Sequence, residues 1–486
     1  MAGNRLMEIV GSANVLDAPE ILAEYTADTG SMPSAAPRCV VRPSGVDDVQ
    51  AIVRWANETG TPLVPVSSGA PHSRGDTAPA VDGAVIIDLS RMKKIVRIDA
   101  RNKVVMVEPG VTYGELQPAL AGQGLAAYMP LAPRASKSVI GSVLEREPVT
   151  MPTHHWDSTD PLLCAEVVFG TGDRFRTGEA MGPDTVEEQW EIGRVQMNPF
   201  GHSHVDFQRL ISGAQGSIGI VTWATLKCCY LPVRHAAYIV PSGTLEPLVD
   251  LSYRLTRFRL GGRLFILNSV ELACLLASRV TGIEKMVEVL PPWVLFASFE
   301  GYGVLPQDKL DYEENDFMDM ACTCNLRPER ETSGIKAEDL YHITSGPSPE
   351  PYWKTALRGG FNEIFFLTTL DKTPDFVSSV IGLAREQKYP PETIGVYIQP
   401  VVQGTSCHCE FDMYHDPAGS AAAASTRRLA GMAVREIAEK GGFFSRPYPA
   451  WKDIAYSRAA GAARMQRKIK DIFDPAGVLN PGKLCF

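Results

Sequence analysis

The stretch CHCEFDMYHD, residues 407–416, is the densest group of chemistry-bearing side chains in the sequence. In an extended strand, His408 and Glu410 point to the same side, so they can act as a base and its partner. A second group, RPYPAWKDIAYSR at 446–458, offers Arg446, Tyr448, Tyr456 and Arg458. An arginine there could clamp a carboxylate, and a Tyr–Arg pair could stabilise a phenolate. The adjacent His154 and His155 in TMPTHHWD point to opposite faces of an extended chain, which argues against joint metal ligation. The ten cysteines are scattered, and their two close pairs are C-x-C rather than the C-x₂-C of clusters and zinc sites. No metal is therefore expected.

Three small-residue loops could hold a ligand by its backbone. The first runs from Ser67 to Thr77 and includes Ser68, Gly69, Ala70, Pro71, His72, Ser73 and Gly75. Exposed N–H groups in such a loop form a nest for pyrophosphate without needing a lysine. It is neither a Walker loop nor a G-x-G-x-x-G turn. The segments APRASKSVIGS (132–142) and SGAQGSIGIVT (212–222) are similarly permissive. Three separated loops that allow close approach fit a dinucleotide better than one phosphate.

The elements that must position these groups follow from periodicity. SGVDDVQAIVRWANETG reads as a helix capped by Ser44, with Val46, Val49, Ile52, Val53 and Ala56 on one face and Gly60 at its end. Strands follow at PLVPVS, GAVIIDLS, KIVRIDA and KVVMVEPG, then a helix at TYGELQPALAGQG. LLCAEVVFGTGDRFRTG reads as a hairpin turning at Gly170–Asp173, and ISGAQGSIGIVTWATLKCCYLP as another strand pair. From about residue 233 the pattern becomes mixed α+β, with a strand at TIGVYIQPVVQG, a long helix stopped by Gly441 and Gly442, and a last helix broken at Asp474–Pro475. With 486 residues, two or three domains are expected. A net charge of −9 argues against nucleic acid as the main partner. The absence of a long apolar run, of a leader and of a disulfide pattern points to a reduced, cytoplasmic protein.

In order along the chain, CVVRPSGVDDVQAIVRWANETGTPLVPVSSG, VIIDLSRMKKIVRIDARNKVVMVEPGVTYGEL, AEVVFGTGDRFRTGE, GAQGSIGIVTWATLK and DIFDPAGVLNPGK resemble the FAD-binding domain of the vanillyl-alcohol oxidase and p-cresol methylhydroxylase superfamily. The resemblance covers roughly residues 37–232 and 445–486, about half of the chain. It implies an α+β fold: an FAD domain over 1–232, an inserted cap over 233–440, and a tail over 441–486 that returns to the flavin. It implies FAD as cofactor, with the 67–77 loop on the pyrophosphate and Pro109 and Gly110 by the adenine or ribose. Ser138, Gly141 and Ser142 would lie along the pyrophosphate and ribityl chain. Gly216, Gly219, Ile220 and Val221 would offer main-chain contacts, and Asn480 and Lys483 would lie near the isoalloxazine. Some members tether FAD covalently, and His72 in GAPHSRG is the residue for that here, although its spacing departs from theirs.

Two further departures bear on substrate. QGTSCHCEF stands where the lactate and glycolate branch carries H-x-G-D-G-N, and GAPHSRGD is not the G-R-N-x-G-Y-G-G loop of the phenol-oxidising branch. The 109–178 stretch is nonetheless closer to the latter. The expectation is an FAD enzyme oxidising a para-substituted phenol or benzylic alcohol, with His408, Glu410, Arg446, Tyr456 and Arg458 at its centre. The alternatives are a 2-hydroxy-acid dehydrogenase with an iron–sulfur or quinone-linked partner, and a catalytically degenerate flavin-binding subunit for electron transfer. The electron acceptor, O₂ or a protein carrier, stays open, and the resemblance implies that chains often pair.

Overall fold

The computed structural model describes residues 2–26, 34–154, 160–182, 184–202, 204–277 and 282–486. Three sheets carry the architecture. The first has the strand order Val15–Leu16, Cys39–Val41, Val85–Asp88, Leu63–Val66, and its last two pairings are parallel. The helix Val46–Thr59 makes the parallel crossover between Cys39–Val41 and Leu63–Val66. It buries Val49, Ile52, Val53 and Ala56, and Gly60 ends it with φ 64° in the left-handed region. Ser44 does not cap it. Instead Asp48 reaches back and accepts from both the Ser44 amide (2.8 Å) and its hydroxyl (2.7 Å).

The second sheet is antiparallel, in the order Ile95–Asp99, Val104–Val107, Gly219–Tyr230, Leu162–Phe169, Arg174–Arg176. The expected hairpin is the Leu162–Phe169/Arg174–Arg176 pair. The strand pair expected over 211–232 is one long strand, Gly219–Tyr230, preceded by a short helix, Phe207–Ile211. The glycines of GAQGSIG form the bend into that strand rather than a hairpin turn.

The third sheet runs Arg234–Ser242, Trp293–Gly301, Leu264–Asn268, Ile394–Val401, Ser406–His415, Gly360–Thr368, all antiparallel. Each face packs against its own apolar cluster, one around Phe299, Phe317 and Phe366, the other around Phe265, Phe296 and Leu340. Both faces are therefore covered, which is why Ser406–His415 is buried almost throughout.

The C-terminal segment crosses back to the first sheet. Leu63 N–H donates to Val478 O (2.7 Å), and Asn480 N–H donates to Leu63 O (2.7 Å), so the chain after Asp474 runs beside Leu63–Val66. Lys470 anchors the turn, giving its ammonium to Asp474 (2.5 Å), Leu479 O (2.7 Å) and Ser217 O (2.6 Å). All ten cysteines are free thiols. Among the described residues no helix is long and apolar enough to cross a membrane.

Candidate functional site

A long cavity runs from the Ser67–Thr77 loop to the inner face of the third sheet. Of the residues singled out by sequence, Ser67, Ser68, Pro71, His72, Ser73, Thr77, Pro109, Gly141, Gly216, Gly219, Ile220 and Val221 line it, together with Glu410 and Arg446. The three glycine-rich loops thus meet on one space. Gly216 illustrates why small residues are needed there. Its φ is 67°, and a Cβ would stand 2.3 Å from Pro65 Cγ.

The other expected cofactor residues act around the cavity rather than on its wall. Lys483 gives its ammonium to Gly75 O and Ala78 O (both 2.6 Å), and Asn480 donates to Asp76 O (2.9 Å) and Gln215 O (2.7 Å). The closing turn therefore clamps the first loop to the third. Ser138 is turned away: its hydroxyl donates to Pro109 O (2.6 Å) and accepts from Gly141 N–H (3.0 Å), capping the helix Val139–Leu144. Ser142 is likewise committed, to Glu147 and Tyr113. Gly110 packs against backbone carbonyls of residues 89–92. Gly69 and Ala70 lie exposed at the loop's outer bend.

The cavity holds buried polar atoms that lack a protein partner. They include Thr77 Oγ1, Gln215 Oε1 and Arg134 Nη1, all on residues that line it. Leaving such atoms unpaired is costly, and a cofactor rich in hydroxyls, phosphate oxygens and amide groups would satisfy them. Arg134 and Lys137 add positive charge on the same wall. The residues present fit FAD. His72 also lines the cavity, buried near the Tyr25 ring (6.2 Å between centroids), and burial lowers its pKa to about 4.

At the other end lies a chain of buried ion pairs that the sequence did not disclose. Arg74 bonds Glu145 (2.6 Å), Glu147 (2.6 Å) and Glu363 (2.8 Å). Lys354 continues the chain to Glu363 (2.8 Å), Asp412 (2.8 Å) and Glu410. His408 Nε2 meets Glu410 Oε2 at 2.8 Å, and Arg446 Nη2 meets the other ring nitrogen, Nδ1, at 3.3 Å. The arginine can only donate, so the contacts assign the proton to Nε2, facing the carboxylate. Burial lowers the His408 pKa, which keeps the ring neutral. Burial alone would raise Glu410, but the Lys354 ammonium and the His408 ring together outweigh it and hold the carboxyl below its ordinary value. Burial pushes Asp412 well up and Glu271 to about 7.

Arg446 spreads its guanidinium over the Phe365 ring, 3.8 Å from the centroid, and Tyr448 lines the cavity beside it. Tyr456 and Arg458 lie elsewhere. Tyr456 donates to Gln466 (2.8 Å) and Arg458 donates to Ala438 O (2.5 Å). The helix Lys452–Ser457 carries them away from Arg446 and Tyr448. His408 sits behind Glu410 and lines a neighbouring cavity. His155 lies outside the described residues.

The residues 37–178 match a family described as an FAD binding domain. This chain carries an FAD binding domain over those residues and has the fold of p-cresol methylhydroxylase. It is an FAD-dependent oxidoreductase. Over 98% of its length it is 23% identical to an uncharacterised FAD-linked oxidoreductase of Mycobacterium tuberculosis, of which it covers 97%. It is 31% identical over 202 residues, 41% of this chain and 38% of the relative, to the flavoprotein subunit of 4-cresol dehydrogenase (hydroxylating) from Pseudomonas putida. Among solved structures, p-cresol methylhydroxylase with substrate bound superposes with a TM-score of 0.86 at 20% identity, covering 100% of this chain and 96% of that one.

Proposed function

We propose that the protein oxidises a para-substituted phenol, such as a benzylic alcohol that carries a ring hydroxyl, with residues 1–232 and 441–486 holding FAD and 233–440 forming the wall that receives the substrate. FAD supplies the acceptor for a hydride, at its N5; everything else falls to this chain. The observation that carries the reading is that Arg446 and Glu410 reach an aromatic cavity wall while His408, buried behind them, bridges the two. Tyr352, Trp353, Phe361, Tyr397 and Tyr448 give that wall flat apolar surface for an aromatic ring.

In this reading the phenolic oxygen takes up the guanidinium of Arg446, whose hold on His408 Nδ1 is long. The freed Nδ1 accepts the phenolic proton, and Glu410 stabilises the imidazolium that results. The benzylic carbon of the bound phenolate then loses a hydride, and a 4-hydroxybenzyl alcohol leaves as the aldehyde once its ring oxygen regains a proton and its benzylic hydroxyl loses one. Lys354 and Arg74 keep Glu410 and Glu363 ionised and in place.

A relative named for 4-cresol matches over 41% of this chain and one named for D-2-hydroxyglutarate over 99% of it, so it is the aromatic lining of the cavity, rather than these names, that favours a phenol over a 2-hydroxy acid. So does the lysine: Glu271, Glu410 and Asp412 bring oxygens within 4.8 Å of one another, but the Lys354 ammonium already pairs with two of the three. The reading predicts that 4-methylphenol binds to the FAD-loaded protein as the phenolate at neutral pH. Ultraviolet difference spectra would show the ionised ring with wild type and the neutral ring with Arg446→Met. Binding of neutral phenol alone to wild type would contradict it.

A further inference from the structure

On the far side of His408 lies a second cavity, which shares Glu147, Pro148 and Arg446 with the first. Two arginines line it. Arg146 donates from Nη2 to Ser445 O at 2.6 Å, and its buried Nε has no partner. Arg446 gives Nη2 to His408 and leaves its buried Nη1 without one. Among the described residues neither guanidinium pairs with a carboxylate. The two acids on the cavity wall are engaged elsewhere, Glu147 with Arg74 (2.6 Å) and Asp160 with Lys227 (2.6 Å). Burial and the nearby positive charge of Arg446 both lower the Arg146 pKa, so the pair repels itself.

The backbone makes room for this arrangement. Gly213 has φ 75°, and a Cβ there would stand 2.5 Å from Arg146 Nη2. The remaining lining is largely apolar, from Pro148, Val149, Leu367, Val401, Val402 and Phe443. Val402 holds φ 51°, a left-handed conformation that costs a β-branched residue energy. The Phe443 side chain is 64% exposed.

Buried N–H groups left unsatisfied on two neighbouring like charges are destabilising. A planar monoanion cures both defects at once, because a carboxylate accepts from two guanidinium donors and neutralises their repulsion. The apolar lining asks for a hydrocarbon body behind that carboxylate. We propose that this cavity is a binding site for an apolar carboxylate, such as an arylcarboxylate, held by Arg146 and Arg446. The carboxylate belongs either to the molecule being oxidised or to a separate ligand that acts through Arg446.

The test is isothermal titration calorimetry of the FAD-loaded protein with benzoate, and with benzyl alcohol as its uncharged counterpart. Benzoate should saturate one site, and Arg146→Met should weaken it by about tenfold or more. Benzyl alcohol affinity should not move. Arg146→Lys, which keeps the charge without the fork, should fall between the two, and it carries the test if the methionine variant does not fold. Benzoate displaced by 4-methylphenol would assign the carboxylate to the substrate; simultaneous binding would assign it to a separate ligand. Absence of saturable benzoate binding to wild type, or wild-type affinity in both Arg146 variants, overturns the proposal. A protein that ignores benzoate while a phenol still reduces its flavin fails this inference alone and leaves the proposed function standing.

Discussion

Replacing Lys354 with methionine is expected to destabilise the protein by about 3–5 kcal/mol. Its ammonium is the shared counter-charge for Glu363, Asp412 and Glu410, and all four groups are buried. Without it, Glu363 keeps Arg74 and Glu410 keeps His408, but Asp412 keeps no cation among the described residues. A buried carboxylate with no partner is costly as an anion and takes up a proton instead. The deficit should therefore shrink as pH falls, since protonation removes the stranded charge. Urea unfolding of wild type and Lys354→Met at neutral and mildly acidic pH measures this directly. Adding Asp412→Asn to the variant should recover part of the loss, which a purely steric effect of the methionine would not allow.

The second large effect concerns chemistry rather than stability. His408→Gln should slow flavin reduction by a phenol by about 10²–10⁴-fold while FAD stays bound, because the variant keeps the volume and loses the proton acceptor. The pH profile separates this from a general disturbance. Burial lowers the His408 pKa, so in wild type the rate should fall only as pH drops through a value below the ordinary histidine range. The variant should lack that inflection. Glu410→Gln should keep it but move it lower, since the carboxylate is what favours the charged ring. A variant that reduces its flavin at the wild-type rate with the wild-type profile would remove His408 from the mechanism.

What could be read from the sequence follows the range of the interactions. The Ser67–Thr77 loop, the helix Val46–Thr59 and the shared side of His408 and Glu410 rest on local rules, and each is legible within a dozen residues. The strand Gly219–Tyr230 reads as a pair in the sequence because glycines that bend a chain into a strand look the same as glycines that turn a hairpin. The ion-pair chain was invisible for another reason. Arg74 and Glu363 are 289 residues apart, and nothing in either neighbourhood names the other. Arg446 and Tyr456 sit in one short stretch, yet the helix that begins at Lys452 separates their destinations. Lys354, in an unremarkable PYWKT, had no local signal at all; its role appears only when Gly360–Thr368 and Ser406–His415 pair and set Glu363 opposite Asp412.

The central claim is that the cavity wall acts on a phenol, through its ionisable hydroxyl. The most direct measurement mixes FAD-loaded protein anaerobically with 4-hydroxybenzyl alcohol, with its O-methyl ether, and with D-lactate, and follows the absorbance of the oxidised flavin. Bleaching by the phenol, with the ether and the hydroxy acid inert, is the predicted result, because only the phenol has a ring hydroxyl that can pass its proton to His408, leave its oxygen on Arg446 and conjugate that oxygen with the carbon that loses the hydride. Bleaching by D-lactate with both aromatic compounds inert would contradict it.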